Sequence, residues 1–138
     1  MTTLTHLLDT SVYCQRLKPL PHPVVVRKWG ELGDRRLAIS SICEAELLYG
    51  LHKRNSQRLW QEYHAGLENK LQQFPVDKTI AQRFAKMKAH MESLGQPRAD
   101  FDLLIAATAH VHGLIVATGN VRHFQGLPEV KVENWFEE

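Results

Sequence analysis

The most informative unit in the chain is residues 37–50, LAISSICEAELLYG. Leu37–Ser40 is a short apolar run that predicts a buried strand, and a helix is predicted to follow at once through Leu47, Leu48 and Leu51. A strand that passes directly into a helix is typical of a βαβ unit, in which the next strand lies parallel to the first. The unit therefore predicts an α/β fold.

The rest of the chain alternates in the same way between short apolar runs and amphipathic stretches. Further strands are predicted at residues 5–8, 74–76, 114–117 and 130–132. Further helices are predicted at residues 24–32, 56–71 and 77–94, and from residue 100 or 102 to Gly113. The expected result is a single three-layer α/β/α sandwich with a short, mostly parallel sheet over residues 1–138.

Composition is that of an ordinary globular protein. Of the 138 residues, 43% are hydrophobic and 23% charged, which excludes an intrinsically disordered chain. The net charge of +2 permits a nucleic-acid partner without pointing to one. The cysteines, Cys14 and Cys43, lack the spacing of a zinc site. Residues 1–9 lack signal-peptide character and no apolar stretch could span a bilayer, so we expect a cytoplasmic protein without a membrane partner.

Acidic and amide side chains occur where the predicted strands end. Asp9 comes directly after the first strand, and Glu46 lies in the first turns of the helix after the second. Asp102 lies at the start of the helix that leads to the fourth strand, and Asn120 lies just beyond that strand. In parallel α/β sheets the functional crevice lies at the carboxyl ends of the strands. These four side chains can therefore face one crevice.

Three of these residues also have an ordinary structural explanation. Asp9 can cap the helix that follows it, and Asn120 alone is a common turn residue. Asp100 and Asp102 compete at the start of one helix, where both are favoured. If Asp100 is the cap, Asp102 is the acid next to the apolar run.

Two glutamates of the helix after residue 40 are assigned differently. Glu44 fits a capping box with Ser41, so we leave it out of the site. Glu46 is not needed for that cap and lies in an apolar stretch, where a carboxylate requires a partner.

Carboxylates that converge need a cation between them. Two unit charges about 4 Å apart repel by about 4 kcal/mol at an effective dielectric constant of about 20. Oxygen ligands without His or Cys favour Mg²⁺, for which Mn²⁺ can substitute, over Zn²⁺. Because Mg²⁺ often takes phosphate among its ligands, such a site is suited to hydrolysis of phosphodiesters.

The segments that carry these acids resemble those of PIN-domain proteins, and within that family the VapC toxins of bacterial type II toxin–antitoxin pairs. The matching stretches are residues 7–12 (LLDTSV), 38–50 (AISSICEAELLYG), 102–109 (DLLIAATA), 116–124 (VATGNVRHF) and 130–135 (VKVENW). They follow the family's order along nearly the whole chain. The resemblance implies a PIN-like fold and a metal-dependent endoribonuclease.

The resemblance implies a role for each matching residue. Asp9, Glu46 and Asp102 would bind the metal and, together with Asn120, carry catalysis. Asn120 stands where many PIN domains have a fourth acid, and residues 118–120 are Thr-Gly-Asn where VapC-like members usually have Thr-Asn-Asn. Further residues are expected to assist this site, Thr118 and Ser11 by orienting a ligand and Arg98 and Arg122 by binding flanking phosphates.

The resemblance also implies the partners. The substrate would be structured RNA, either tRNA or ribosomal RNA, and a small VapB-like antitoxin would block the site and alone contact DNA. A homodimer is implied as well. One alternative is a haloacid-dehalogenase-type phosphatase, although that family needs Asp-x-Asp where this chain has Asp9, Thr10 and Ser11. The other is a PIN-like binding module that has lost turnover.

Overall fold

The computed structural model describes residues 3–138 and contains one five-stranded sheet. Its strands are β1 (His6–Leu8), β2 (Leu37–Ser40), β3 (Gln72–Phe74), β4 (Ile115–Thr118) and β5 (Val132–Asn134). Neighbouring strands are parallel throughout, in the order β3-β2-β1-β4-β5. The predicted parallel sheet is confirmed. Met1 and Thr2, which begin the segment predicted to lack signal-peptide character, lie outside the described residues.

Helices connect the strands and cover both faces of the sheet. They are α1 (Thr10–Tyr13), α2 (Pro23–Leu32), α3 (Ser41–Arg54), α4 (Gln57–Gly66), α5 (Lys78–Ser93), α6 (Asp100–His112) and α7 (Val121–Phe124). One buried cluster joins the sheet to α1–α4, and a second joins it to α5–α7. The predicted three-layer α/β/α arrangement is confirmed. Within residues 3–138, no helix combines the length and the apolar character needed to cross a bilayer.

The alternation of side chains along the strands divides the core in two. In β1, Leu7 packs with the helices of one face and Leu8 with those of the other, and Val116 and Ala117 of β4 divide in the same way. All four side chains are completely buried. Because both faces of the central strands are covered, these strands appear in the sequence as continuous apolar runs.

Three elements differ from the prediction by two residues or more. The helix predicted at residues 56–71 ends at Gly66, and Asn69 then adopts a positive φ of 60°. Leu67 and Leu71 are buried as their spacing suggested, but they reach the core from a turn. Apolar spacing indicates which side chains are buried, but it does not show where the helix ends. The left-handed backbone at Asn69 belongs to the turn that follows the helix. Strand β3 begins two residues earlier than the predicted range 74–76, and β5 begins two residues later than predicted.

The capping box assigned to α3 is wrong. The N-cap is Ser40, whose hydroxyl accepts a hydrogen bond from the backbone N–H of Ile42 at 3.1 Å. The Glu44 carboxylate instead accepts from the hydroxyls of Tyr13 and Tyr63, at 3.1 and 3.2 Å. Both tyrosines are buried, and a buried hydroxyl needs a hydrogen-bond partner, so these distant contacts determine where Glu44 points.

Candidate active site

The carboxyl ends of β1 and β4 open on a pocket of about 490 Å³. Asp9, Glu46, Asp102 and Asn120 all line this pocket. Asp9 and Asn120 follow β1 and β4, whereas α3 brings Glu46 and α6 brings Asp102. The other lining residues are Thr10, Ser11, Ala99, Asp100, Phe101, Ile105 and His123. The structure therefore brings the four residues predicted from the strand ends together.

Asp9 is buried, with 5% of its surface exposed, and its neighbours fix both carboxylate oxygens. Its backbone N–H donates to the carbonyl of Ala117 at 3.0 Å, which ties Asp9 to β4. Its Oδ1 accepts from the Ser11 hydroxyl (2.6 Å) and the Val12 N–H (3.2 Å), and its Oδ2 accepts from the Thr118 hydroxyl (2.5 Å). Asp9 thus caps α1 and lines the pocket at the same time, so its two sequence interpretations are compatible.

Side chains next to the pocket also hold the other two acids. The Thr10 hydroxyl donates to Oε1 of Glu46 at 2.6 Å. The Nδ1 atom of His123 lies 3.2 Å from Oδ2 of Asp102. Helix α1 therefore helps to orient two of the carboxylates, Asp9 through Ser11 and Glu46 through Thr10, whereas His123 of α7 lies beside the third.

Sequence reasoning assigned no role in the site to Thr10 or His123. A local signal exists for each. Thr10 directly follows Asp9 at the end of a strand, where a hydroxyl can reach the crevice. His123 lies three residues after Asn120, a spacing that places both residues on the same side of a helical turn.

Burial disfavours the negative charge of the pocket. Burial raises the pKa of Asp9, and the charge of Asp102 adds to this effect, while hydrogen bonds from Ser11 and Thr118 lower it. Burial also raises the pKa of Asp102, and the nearby His123 acts in the opposite direction. A bound cation would lower both pKa values because it favours the ionised carboxylates.

The donor atoms suit a hard divalent cation. Among the residues that line the pocket, Asp9, Glu46 and Asp102 carry carboxylate oxygens and Asn120 carries an amide oxygen. In the described part of the chain, no three His, Cys, Asp or Glu side chains already form a metal-binding group. The acids therefore share a pocket without forming a closed cluster.

The residues expected to assist the site fall into two groups. Ser11 and Thr118 donate directly to Asp9. Arg98 lies outside the pocket lining, and its guanidinium donates to the carbonyls of Gln96 (2.7 Å) and Gln125 (2.9 Å). Arg122 is exposed on α7 and is also outside the lining. The structure thus brings the two hydroxyl residues to the site and leaves the two arginines beside it.

Asp100 lies at the edge of the pocket but does not cap α6, so that expectation is wrong. The N-cap position is occupied by Ala99, which makes no side-chain capping bond. The Asp100 carboxylate accepts from Lys88 Nζ of α5 at 2.8 Å. This pairing separates the two neighbouring acids, because Asp100 binds a cationic side chain and Asp102 lies beside His123.

Known proteins resemble this chain over nearly its whole length. The PIN domain family model matches residues 6–129. The tRNA(fMet)-specific endonuclease VapC of Salmonella typhimurium is 30% identical over 132 residues, which cover 96% of this chain and 98% of that protein. The crystal structure of FitAcB from Neisseria gonorrhoeae superposes with a TM-score of 0.87 at 29% identity and covers 97% of this chain and 100% of its own. The crystal structure of DNA-bound VapBC from Salmonella typhimurium superposes with a TM-score of 0.80 at 28% identity and covers 96% of this chain and 99% of its own. The chain therefore belongs to the PIN domain family, and within it to the VapC group.

Proposed function

We propose that this chain is an endoribonuclease that hydrolyses phosphodiester bonds in structured RNA and acts as the toxin of a toxin–antitoxin pair. The observation that carries the proposal is the pocket at the carboxyl edge of the sheet, which Asp9, Glu46 and Asp102 line together. The similarity to a tRNA(fMet)-specific endonuclease supports RNA as the substrate. We take tRNA as the first substrate class to test and ribosomal RNA as the second.

The proposed cofactor is Mg²⁺, for which Mn²⁺ can substitute. Asp9, Glu46 and Asp102 would hold one or two ions, with Asn120 beside them. When bound, the ion supplies a Lewis acid that activates water and offsets negative charge on the phosphoryl group. The oxygen donors of the four residues support this choice.

The protein's own contribution is to fix the acids before substrate arrives. Ser11 and Thr118 hold the two oxygens of Asp9, and Thr10 holds one oxygen of Glu46. Hydrogen bonds of this kind orient ligands, and their removal typically costs about 10- to 100-fold in metal affinity. The hydroxyls around the pocket are therefore proposed as part of the site, although they would not bind the ion themselves.

The proposed reaction is hydrolysis with expulsion of the 3′ oxygen. The oxygen of water bonds to phosphorus while the bond from phosphorus to the 3′ oxygen breaks. The departing oxygen takes up a proton, so the products carry 5′-phosphate and 3′-hydroxyl ends. Single-stranded loops are the expected targets, because an unpaired backbone can be drawn into a narrow pocket.

The neighbouring structures supply the proposed partner. VapBC-5 from Mycobacterium tuberculosis, which is 26% identical, is a member of the VapBC family of toxin–antitoxin systems, and VapBC from Salmonella typhimurium is bound to DNA. We propose that a small VapB-like antitoxin covers the pocket of this chain and makes the DNA contacts. Three further properties remain predictions. They are a homodimer, a single nuclease domain over residues 1–138, and a location in the cytoplasm, where tRNA and ribosomal RNA occur. Co-purification from the native host tests the antitoxin, and sedimentation of the purified toxin tests the dimer.

The decisive experiment compares two neighbouring acids. Asp102→Asn should reduce cleavage of folded tRNA in Mg²⁺ by about 100-fold or more, the size of effect seen when one group that stabilises a transition state is lost. Asp100→Asn is the matched control, because Asp100 lies two residues away at the same pocket and pairs with Lys88. It should retain nearly full activity. The amount of RNA fragment formed over time gives the rate of cleavage, and mapping of the fragment ends gives their chemistry.

The same measurement separates the alternatives. Undiminished cleavage by Asp102→Asn, or equal losses in both variants, would overturn the site assignment. Mn²⁺ binding without cleavage of any RNA would instead favour a PIN-like module that has lost turnover. The haloacid-dehalogenase-type phosphatase is no longer supported, because the PIN family model matches residues 6–129.

A further inference from the structure

The backbone just after β4 passes unusually close to an aromatic ring. A Cβ atom placed on Gly119 would lie 2.8 Å from two carbons of the Phe136 ring, a distance at which one of the groups must move. Positive φ does not explain this glycine, since the glycines with positive φ in the described residues are Gly33, Gly95, Gly113 and Gly126. The close approach of Phe136 is therefore the reason why residue 119 lacks a side chain.

The Phe136 ring is itself held in place. It packs against the His22 imidazole, with 4.7 Å between the ring centroids. Its backbone N–H donates to Oδ1 of Asn134 at 2.9 Å. On the adjacent helix α2, Lys28 Nζ donates to the carbonyls of Asn134 (3.2 Å) and Glu137 (2.9 Å). The backbone at residues 134–137 is thus fastened to α2, and the ring cannot turn away from Gly119 without losing its contact with His22.

The backbone at residues 118–119, which the Phe136 ring contacts, also helps to hold Asp9, the buried acid of the site. The Trp135 N–H donates to the carbonyl of Thr118 at 3.0 Å, next to Gly119. The Gly119 N–H donates to the Ser11 hydroxyl oxygen at 2.9 Å, and Ser11 in turn donates to Asp9. The Thr118 hydroxyl donates to the other Asp9 oxygen. Both hydroxyls that hold the Asp9 carboxylate, those of Ser11 and Thr118, therefore depend on residues 118–119.

We propose that Phe136 is a positioning residue for Asp9, which acts through the backbone of Gly119. The inference rests on the proposed function, because it concerns the acid assigned to the metal. It also accounts for Thr-Gly-Asn at residues 118–120, since the ring of Phe136 occupies the space that a side chain at residue 119 would need. The C-terminal segment is then part of the active-site framework as well as the edge of the sheet.

The test measures Mn²⁺ affinity of the purified full chain, by titration of the free-ion EPR signal in the absence of RNA. Gly119→Ala should weaken Mn²⁺ binding about 10-fold, within the range found when groups that orient a ligand are disturbed. Phe136→Ala should weaken binding as well, and Phe136→Leu should restore part of the loss. In the Phe136→Ala background, Gly119→Ala should have no further effect because the clash is gone. Gly66→Ala, where a Cβ atom meets nothing within 4 Å, is the control and should bind as the parent does.

The outcomes separate this inference from the proposed function. Unchanged Mn²⁺ affinity in Gly119→Ala and Phe136→Ala, or an effect of Gly119→Ala that persists in the double variant, would overturn it. A thermal transition in metal-free buffer shows which variants fold. If Gly119→Ala does not fold, the comparison of Mn²⁺ affinity between Phe136→Ala and Phe136→Leu decides whether the inference holds. A parent chain whose Mn²⁺ binding is insensitive to Asp9→Asn would instead overturn the proposed function.

Discussion

The Thr118 hydroxyl donates to Asp9 and accepts from the backbone N–H of Asn120 at 2.8 Å, and the first of these contacts affects the charge of Asp9. Burial raises the pKa of Asp9, and the Thr118 hydrogen bond is among the contacts that lower it. Thr118→Val removes that bond, so the pKa of Asp9 should rise further. Fewer Asp9 carboxylates are then ionised at a given acidic pH, and the low-pH limb of kcat/KM should move to higher pH. A pH profile of RNA cleavage measures the shift.

Thr108 provides the matched control for this substitution. Both threonines are completely buried, but the Thr108 hydroxyl donates to the carbonyl of Leu104 within α6, at 2.8 Å. Thr108→Val should lower stability by about 1 kcal/mol and leave the pH profile in place. If Thr118→Val shifts the profile no more than Thr108→Val does, the Thr118 hydroxyl does not control the charge of Asp9.

Helix α3 presents two glutamates to two different environments. Glu44 and Glu46 are two positions apart, which is about 200° around a helix, so they point to nearly opposite sides. Glu44 accepts from the hydroxyls of Tyr13 and Tyr63, and burial together with its charge raises the pKa of both tyrosines. Glu46 lines the pocket. One helix therefore supports the fold through one acid and the proposed chemistry through the other.

Substitution of each glutamate by glutamine should separate these roles. Glu44→Gln should lower the free energy of unfolding by about 1–2 kcal/mol, because a tyrosine hydroxyl loses a charged acceptor, and should leave Mn²⁺ affinity nearly unchanged. Glu46→Gln should weaken Mn²⁺ binding about 10-fold or more and cost little stability in metal-free buffer. Chemical denaturation and Mn²⁺ titration of both variants give the comparison. The reverse pattern would mean that Glu44, not Glu46, serves the site.

These two glutamates show where sequence reasoning stops. Signals that depend on nearby residues were sound at residues 37–54, where the predicted buried strand Leu37–Ser40 passes directly into helix α3. Glu44 was misassigned because its partners, Tyr13 and Tyr63, lie 31 and 19 residues away along the chain. Local spacing predicts an element and its buried face, but it does not specify which side chains of other elements reach that face.

In the site too, local signals predicted some residues, while contacts between distant elements were not predicted. The rule that parallel strands end at one edge was enough to predict a pocket shared by Asp9, Glu46 and Asp102. The contact of His123 with Asp102 depends on how α7 packs on α6, and the contact of Thr10 with Glu46 depends on α1 beside α3. Such contacts follow from the packing of elements, so the carboxylates, Ser11 and Thr118 were predicted, whereas Thr10 and His123 were not.

At the scale of the whole molecule, a buried negative charge in the pocket lowers the stability of the fold. Burial raises the pKa of Asp102, so its ionised form is less favourable in the folded chain than in the unfolded chain. Stability from this group is therefore lost as pH rises from the unfolded pKa through the folded pKa. At neutral pH the uncharged variant Asp102→Asn should be at least as stable as the parent in metal-free buffer, because it removes the buried charge.

Adding the metal should reverse that order. An ion that binds only the folded chain stabilises it by about 1.4 kcal/mol at a concentration of about ten times its Kd, which raises Tm by roughly 3–6 °C for a domain of this size. The parent and Asp100→Asn should both show this increase in Mg²⁺ or Mn²⁺, whereas Asp102→Asn should show little or none. Calorimetry with and without metal measures all three. An equal rise in Tm for Asp102→Asn would mean that the ion stabilises the fold from a site other than this pocket, since a variant lacking a ligand cannot gain the same binding energy there.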